Sequence, residues 1–151
     1  MDIGQSSQTI DDQANSLHTV QNLKGKRILL AEDCLDQGRL YLNFLQLAGA
    51  QVTLECNGKS AFEAVKKSLT LFDAVVMDFQ MPEMDGLITT KSLREIGYGG
   101  AIIAVTAIGS DELKQRWFAA GCDAFLQKPL IKRELINAVQ LHLTRGANAA
   151  L

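Results

Sequence analysis

The strongest constraint on this chain is an alternation that begins at Lys26. Short continuous apolar runs are each followed by a longer segment whose apolar residues recur at helical spacing. Ile28-Leu29-Leu30-Ala31, Ala74-Val75-Val76-Met77 and Ala101-Ile102-Ile103-Ala104-Val105 carry no polar residue on either face. That pattern belongs to parallel strands covered on both sides, so these three are expected at the centre of a sheet. Gln51-Val52-Thr53-Leu54-Glu55 alternates polar with apolar, and Ala124-Phe125-Leu126 is very short; both are expected at edges. Between the strands, Leu40, Phe44 and Leu47 are spaced as one face of a helix, as are Phe62, Val65 and Leu69. The same holds for Thr89, Leu93 and Ile96, for Leu113, Trp117 and Ala120, and for Leu135, Val139 and Leu143. Gly49, Gly97 and Gly121 stand where helices would stop, and Ser110 where one would start. Five strands alternating with five amphipathic helices predict an α/β fold, a doubly wound parallel sheet with right-handed crossovers. The 151 residues, 47% of them apolar, supply one domain whose core needs no disulfide staple.

Residues outside this alternation are of a different kind. The first 22 hold three Asp, no Lys or Arg and few apolar residues. Residues 1–24 therefore read as a polar flexible tail or linker, 25–145 as the folded domain and 146–151 as a short C-terminal tail. A formal charge of −2 leaves too little cationic excess for a module that binds by neutralising phosphates, so no nucleic-acid partner is expected. No apolar run approaches the ~18 residues that cross a bilayer, and the N-terminus lacks the basic start and apolar stretch of a signal peptide. No membrane segment and a cytoplasmic location are expected. Cys34, Cys56 and Cys122 are odd in number and lack C-x-x-C spacing, which suits unpaired thiols in a reducing compartment. Cys56 and Cys122 are expected to serve packing, and Cys34 to be inert.

The chemistry-bearing residues fall at the carboxyl ends of the strands. Glu32-Asp33 follows the first run, Asp78 the third, Thr106 the fourth and Lys128-Pro129 the fifth. Ligand sites of open parallel sheets lie beyond those ends, where the strand order reverses. With the order 2-1-3-4-5, the first and third strands are neighbours and Asp33 faces Asp78. Carboxylates brought this close repel by ~4 kcal/mol per pair at 4 Å and an effective dielectric of 20. A hard divalent cation relieves that repulsion, and Mg²⁺ suits one or two carboxylates, waters and a phosphate oxygen. Asp78 stands alone at the tip of the middle strand and is placed to attack phosphorus, forming an acyl phosphate. Lys128 and the cation would neutralise the phosphoryl oxygens, and the Thr106 hydroxyl would donate a hydrogen bond to them.

Residues from about Gly25 to Arg145 resemble the receiver domain of two-component response regulators. Asp78-Phe79-Gln80-Met81-Pro82-Glu83-Met84-Asp85-Gly86 is similar to the stretch around that family's phosphorylated aspartate, and Glu32-Asp33, Thr106 and Lys128-Pro129 follow its order and spacing. The resemblance implies a flavodoxin-like five-stranded sheet in which Asp78 takes a phosphoryl group from a phosphohistidine. It implies that Asp33, Asp78 and the Gln80 backbone carbonyl hold Mg²⁺, with Glu32 helping through water. It further implies that Thr106 and Lys128 read the phosphate, that Phe125 is the aromatic switch residue, and that the Lys128-Pro129 peptide is cis. Implied partners are a histidine kinase or histidine phosphotransfer protein and a downstream protein. The stretch from Gly25 to Asp33, together with the Asp78 segment, looks most like receivers attached to hybrid histidine kinases. The chain departs from the family at Cys34, where Asn is common, and at Gly38, a glycine early in a helix that costs ~1 kcal/mol relative to Ala.

Two other functions compete with that reading. A haloacid-dehalogenase-like phosphatase also uses a strand-end Asp and Mg²⁺ but needs Asp-x-Asp, whereas Asp78-Phe79-Gln80 has no second acid. A phosphorylation-independent interaction module would have no use for Asp78, Thr106 and Lys128 together. Among the remaining residues, His18 and His142 are expected in solvent, Trp117 is expected to be structural, and Lys114, Arg116, Lys132 and Arg133 are expected to form a solvated face.

Overall fold

The computed structural model describes residues 22–149. Five parallel strands, β1 (Arg27–Ala31), β2 (Gln51–Glu55), β3 (Ala74–Asp78), β4 (Ala101–Thr106) and β5 (Ala124–Gln127), form one sheet in the order β2-β1-β3-β4-β5. Helices α1 (Leu35–Leu47), α2 (Gly58–Lys67), α3 (Gly86–Glu95), α4 (Asp111–Ala120) and α5 (Lys132–Ala149) alternate with them. Every residue of β3 and β4 is buried, as continuous apolar runs require, while the alternating β2 and the short β5 take the edges. The fold is the doubly wound one that the alternation predicts.

Two apolar layers sandwich the sheet. One gathers Ile28, Leu30, Val76, Ile103 and Val105 with Tyr41 and Leu45 of α1 and Leu135, Ile136 and Val139 of α5. The other gathers Leu29, Val75, Met77 and Ile102 with Ala61, Val65, Leu93, Leu113 and Trp117 of α2, α3 and α4. Helix starts follow local chemistry. Asn57, Asp85 and Ser110 accept hydrogen bonds from the backbone amides of Ser60, Ile88 and Leu113 at 2.7, 2.8 and 3.2 Å. Cys34, which cannot cap in this way, begins α1 with no side-chain bond. Gly49, Gly97 and Gly121 follow helices with φ of 97°, 92° and 113°, a region that L side chains avoid.

Several expectations are corrected. The row Leu40, Phe44 and Leu47 is not the buried face of α1, since Leu40 and Leu47 are exposed and Gly38, Tyr41 and Leu45 turn inward. α1 carries two apolar stripes one residue apart, and its seating on β1 and β2 selects between them. Leu69 lies beyond the end of α2 and is exposed, because the chain leaves the helix at Ser68 in an extended conformation. Leu23 belongs to the core rather than to a tail. It is fully buried, and its amide donates to the Ala48 carbonyl at 2.9 Å. α5 continues to Ala149, past the expected end at Arg145. Cys56 is exposed rather than packed, whereas Cys122 is buried, which pushes its thiol up to about 12. His18 lies outside the described residues.

Candidate functional site

The sheet register assembles the site. Asp78 pairs with Val105 across β3 and β4, so Thr106 lies one step beyond it, and the Phe79 amide donates to the Val105 carbonyl at 3.1 Å. Thr106 pairs with Gln127 of β5, and the Lys128 amide donates to the Thr106 carbonyl at 2.8 Å. On the other side Ala31 pairs with Met77 of β3, which carries Glu32 and Asp33 past the sheet edge beside Asp78. Four strand ends thus deliver Glu32, Asp33, Asp78, Thr106 and Lys128 to one rim.

The side chains converge there. Glu32, Asp33 and Asp78 each present an oxygen within 4.8 Å of the others, with Glu32 and Asp78 buried and Asp33 exposed. Lys128 Nζ sits 3.1 Å from Asp78 Oδ1 and donates to both Glu32 carboxylate oxygens at 3.1 and 3.2 Å. Burial pushes the Glu32 carboxyl from 4.5 up to about 7, helped by the neighbouring Asp78 charge and opposed by Lys128. Burial also raises Asp78, again against the pull of Lys128. For Lys128 burial acts downward, but the Asp78 and Glu32 carboxylates outweigh it and keep the ammonium charged. One ammonium thus faces three acids, and the rim retains a surplus of negative charge. Hard oxygen donors at this spacing fit a small divalent cation.

The other predicted residues take distinct places. Thr106 is buried, and its hydroxyl oxygen accepts from the Ile108 amide at 3.1 Å, which leaves its own proton available to donate. Phe125 is half-buried against the α2–α4 layer, one strand over from Ala104. Gln80 is exposed in the loop after β3, and Pro129 follows a cis peptide bond.

Three participants escape a reading of the sequence alone. Gln37, in the first turn of α1, accepts from Lys128 Nζ at 2.7 Å. Nothing local separates it from an ordinary surface glutamine. Gly86 lets the loop after β3 fold back onto the strand, because a Cβ there would collide with the Asp78 carbonyl and crowd Trp117, and its amide donates to the Phe79 carbonyl at 2.8 Å. Gly58 does the same for the far side of that loop, where a Cβ would strike the Met84 carbonyl and the Thr89 hydroxyl. Trp117 is structural, as expected, and fully buried. It packs edge-on against Phe79, next to Asp78, with ring centroids 6.0 Å apart. Gly86 stands within the Asp-to-Gly stretch already singled out, so its presence was visible even though its contact was not.

An acid cluster and a lysine at the carboxyl rim of a 2-1-3-4-5 parallel sheet define a doubly wound protein built to hold charge at its switch point. The family described as response regulator receiver domain matches residues 28–140. The chain belongs to that family and is a receiver domain of two-component systems. The osmosensing histidine protein kinase SLN1 of Saccharomyces cerevisiae is 32% identical over 120 residues, 76% of this chain and 10% of that protein. The response regulator receiver protein CpdR of Brucella abortus is 35% identical over 115 residues, covering 76% of this chain and 94% of its own. Among solved structures, the receiver domain of the Francisella response regulator 1452 superposes with a TM-score of 0.76 at 27% identity, over 80% of this chain and 98% of that one. The chain spans 5% to 14% of the length of the sensor and hybrid kinases it matches. Receiver domains generally bind Mg²⁺ at an acidic pocket and interact with histidine kinases or phosphotransfer proteins, and an acidic cluster of Glu32, Asp33 and Asp78 is present here. Among the described residues no helix is long and apolar enough to cross a membrane.

Proposed function

We propose that Asp78 is the phosphoacceptor of this receiver, taking a phosphoryl group from a phosphohistidine on a cytoplasmic kinase or phosphotransfer protein. The observation that carries the reading is the position of Asp78. It is 5% exposed at the tip of β3, 3.1 Å from the Lys128 ammonium and within 4.8 Å of two further acids. An Asp78 carboxylate oxygen attacks phosphorus, the P–O bond forms as the P–N bond to the donor imidazole breaks, and the departing imidazole takes up a proton. Lys128 holds the Asp78 oxygen before transfer and can neutralise a phosphoryl oxygen after it. Thr106 has a hydroxyl proton to offer the same group. Asp33, Asp78 and the Gln80 carbonyl are the Mg²⁺ ligands in this reading, with Glu32 assisting through water. The ion, when bound, supplies positive charge to the phosphoryl oxygens. Movement of Thr106 toward the phosphoryl group, followed by Phe125, is the switch that alters the partner-binding face.

Mass spectrometry after incubation with a phosphohistidine donor and Mg²⁺ tests this. One added phosphoryl group is expected on Asp78 and none on Asp78→Asn. Equal labelling of both forms refutes the assignment, and turnover of a simple phosphomonoester would favour a phosphatase instead. Histidine kinases, three of them named hybrid kinases, are among the relatives, so a receiver module from a larger hybrid histidine kinase is the origin we favour.

A further inference from the structure

Lys128 has one partner that is not an acid. Its ammonium donates to Gln37 Oε1 at 2.7 Å, shorter than its 3.1 and 3.2 Å bonds to Glu32 and its 3.1 Å contact with Asp78. An ammonium has three N–H donors, and its two bonds to Glu32 and one to Gln37 account for all of them, while Asp78 is held beside it as an ion pair. Gln37 reaches the site because the first turn of α1 lies close against the sheet. A Cβ on the adjacent Gly38 would stand 3.2 Å from Leu54 Cδ1 and 3.6 Å from Glu32 Cγ, so the glycine permits the approach. The backbone cost of Gly38 is therefore tied to the seating of Gln37.

With every donor engaged, Lys128 can reach a phosphoryl oxygen only by leaving an acceptor. The two bonds to the Glu32 carboxylate are charge-assisted and roughly twice as strong as a neutral one. The neutral Gln37 amide is the acceptor released at least cost. We propose that Gln37 is the resting-state partner that Lys128 exchanges for the phosphoryl group. It holds the ammonium in place beforehand and is set free, with the first turn of α1, once Asp78 is phosphorylated. Gln37 is thus a positioning residue that acts through Lys128, and the proposal rests on Asp78 being the acceptor.

Beryllofluoride with Mg²⁺, a phosphoryl mimic, tests the exchange on the full chain, followed by Trp117 fluorescence and by the Lys128 ammonium resonance. Gln37→Met keeps the length of the side chain and removes the acceptor, so the free state loses a bond that the loaded state does not use. Beryllofluoride should bind about tenfold more tightly to this variant, with Mg²⁺ affinity unchanged and the Lys128 resonance broadened in the free protein. Gln37→Asn, one methylene shorter, should move in the same direction and serves if the first variant does not fold. Beryllofluoride binding no tighter than in the native chain, with an unaltered Lys128 resonance, overturns the exchange while Asp78 stands as acceptor. Absence of any beryllofluoride response in the native chain overturns the acceptor assignment instead.

Discussion

In the absence of divalent ions, raising the pH from about 5 to about 8 should weaken the fold, and Glu32 should cause most of the loss. Its carboxyl moves from 4.5 in the unfolded chain to about 7 in the folded protein, chiefly through burial and then through the Asp78 charge. The folded state therefore binds a proton that the unfolded state has already released. The associated stability is complete below about 4.5 and is lost as pH climbs through about 7, a span worth about 3 kcal/mol at roughly 1.4 kcal/mol per tenfold change in affinity. Lys128 stays an ammonium throughout, so loss of the Glu32 proton adds one more negative charge to the rim without a new cation to offset it. Urea unfolding with a chelator at several pH values reads the slope directly. Glu32→Gln removes the titration while keeping an oxygen to accept from Lys128. Its profile should be flatter, with a residual slope from Asp78, which burial also raises. Parallel profiles for Glu32→Gln and the native chain would refute the reasoning.

Mg²⁺ at about a hundred times its Kd should stabilise the native chain by about 2.7 kcal/mol in urea unfolding, and Asp33→Asn or Asp78→Asn should abolish most of that gain. Gly86→Ala should cost about 2 kcal/mol in the same assay and weaken Mg²⁺ binding, because the added methyl meets the Asp78 carbonyl and must displace the loop. Arg94→Met tests a part of the fold remote from the rim. The guanidinium donates to the Gly121, Tyr98 and Gly100 carbonyls at 2.9, 2.7 and 2.8 Å and to Asp123 at 3.0 Å. Its loss should cost about 2 kcal/mol in thermal or urea unfolding and leave beryllofluoride binding unchanged.

The architecture was legible in the chain because its signals are local. Continuous apolar runs mark strands covered on both faces, helical spacing marks the segments between them, and polar residues at the run ends mark the rim. Asp33, Asp78, Thr106 and Lys128 follow from that pattern without a coordinate, since a parallel sheet brings all carboxyl ends to one side. What escaped was non-local. Leu40 and Leu47 show a helical period as clear as that of Tyr41 and Leu45, yet only the seating of α1 on the sheet decides which stripe is buried. Leu23 looks like linker until the Ala48 carbonyl is found to receive its amide. Gln37 and Lys128 are 91 residues apart, and no spacing rule joins a neutral amide on one helix to an ammonium beyond the last strand. The amino-acid order thus determined which segments are strands, which are helices and where charge accumulates, because periodicity and apolar continuity act over a few residues. The choice of inward stripe, the lysine's third partner and the packing of Trp117 against Phe79 were decided by the tertiary structure, because they depend on how close two preformed elements come before their side chains collide.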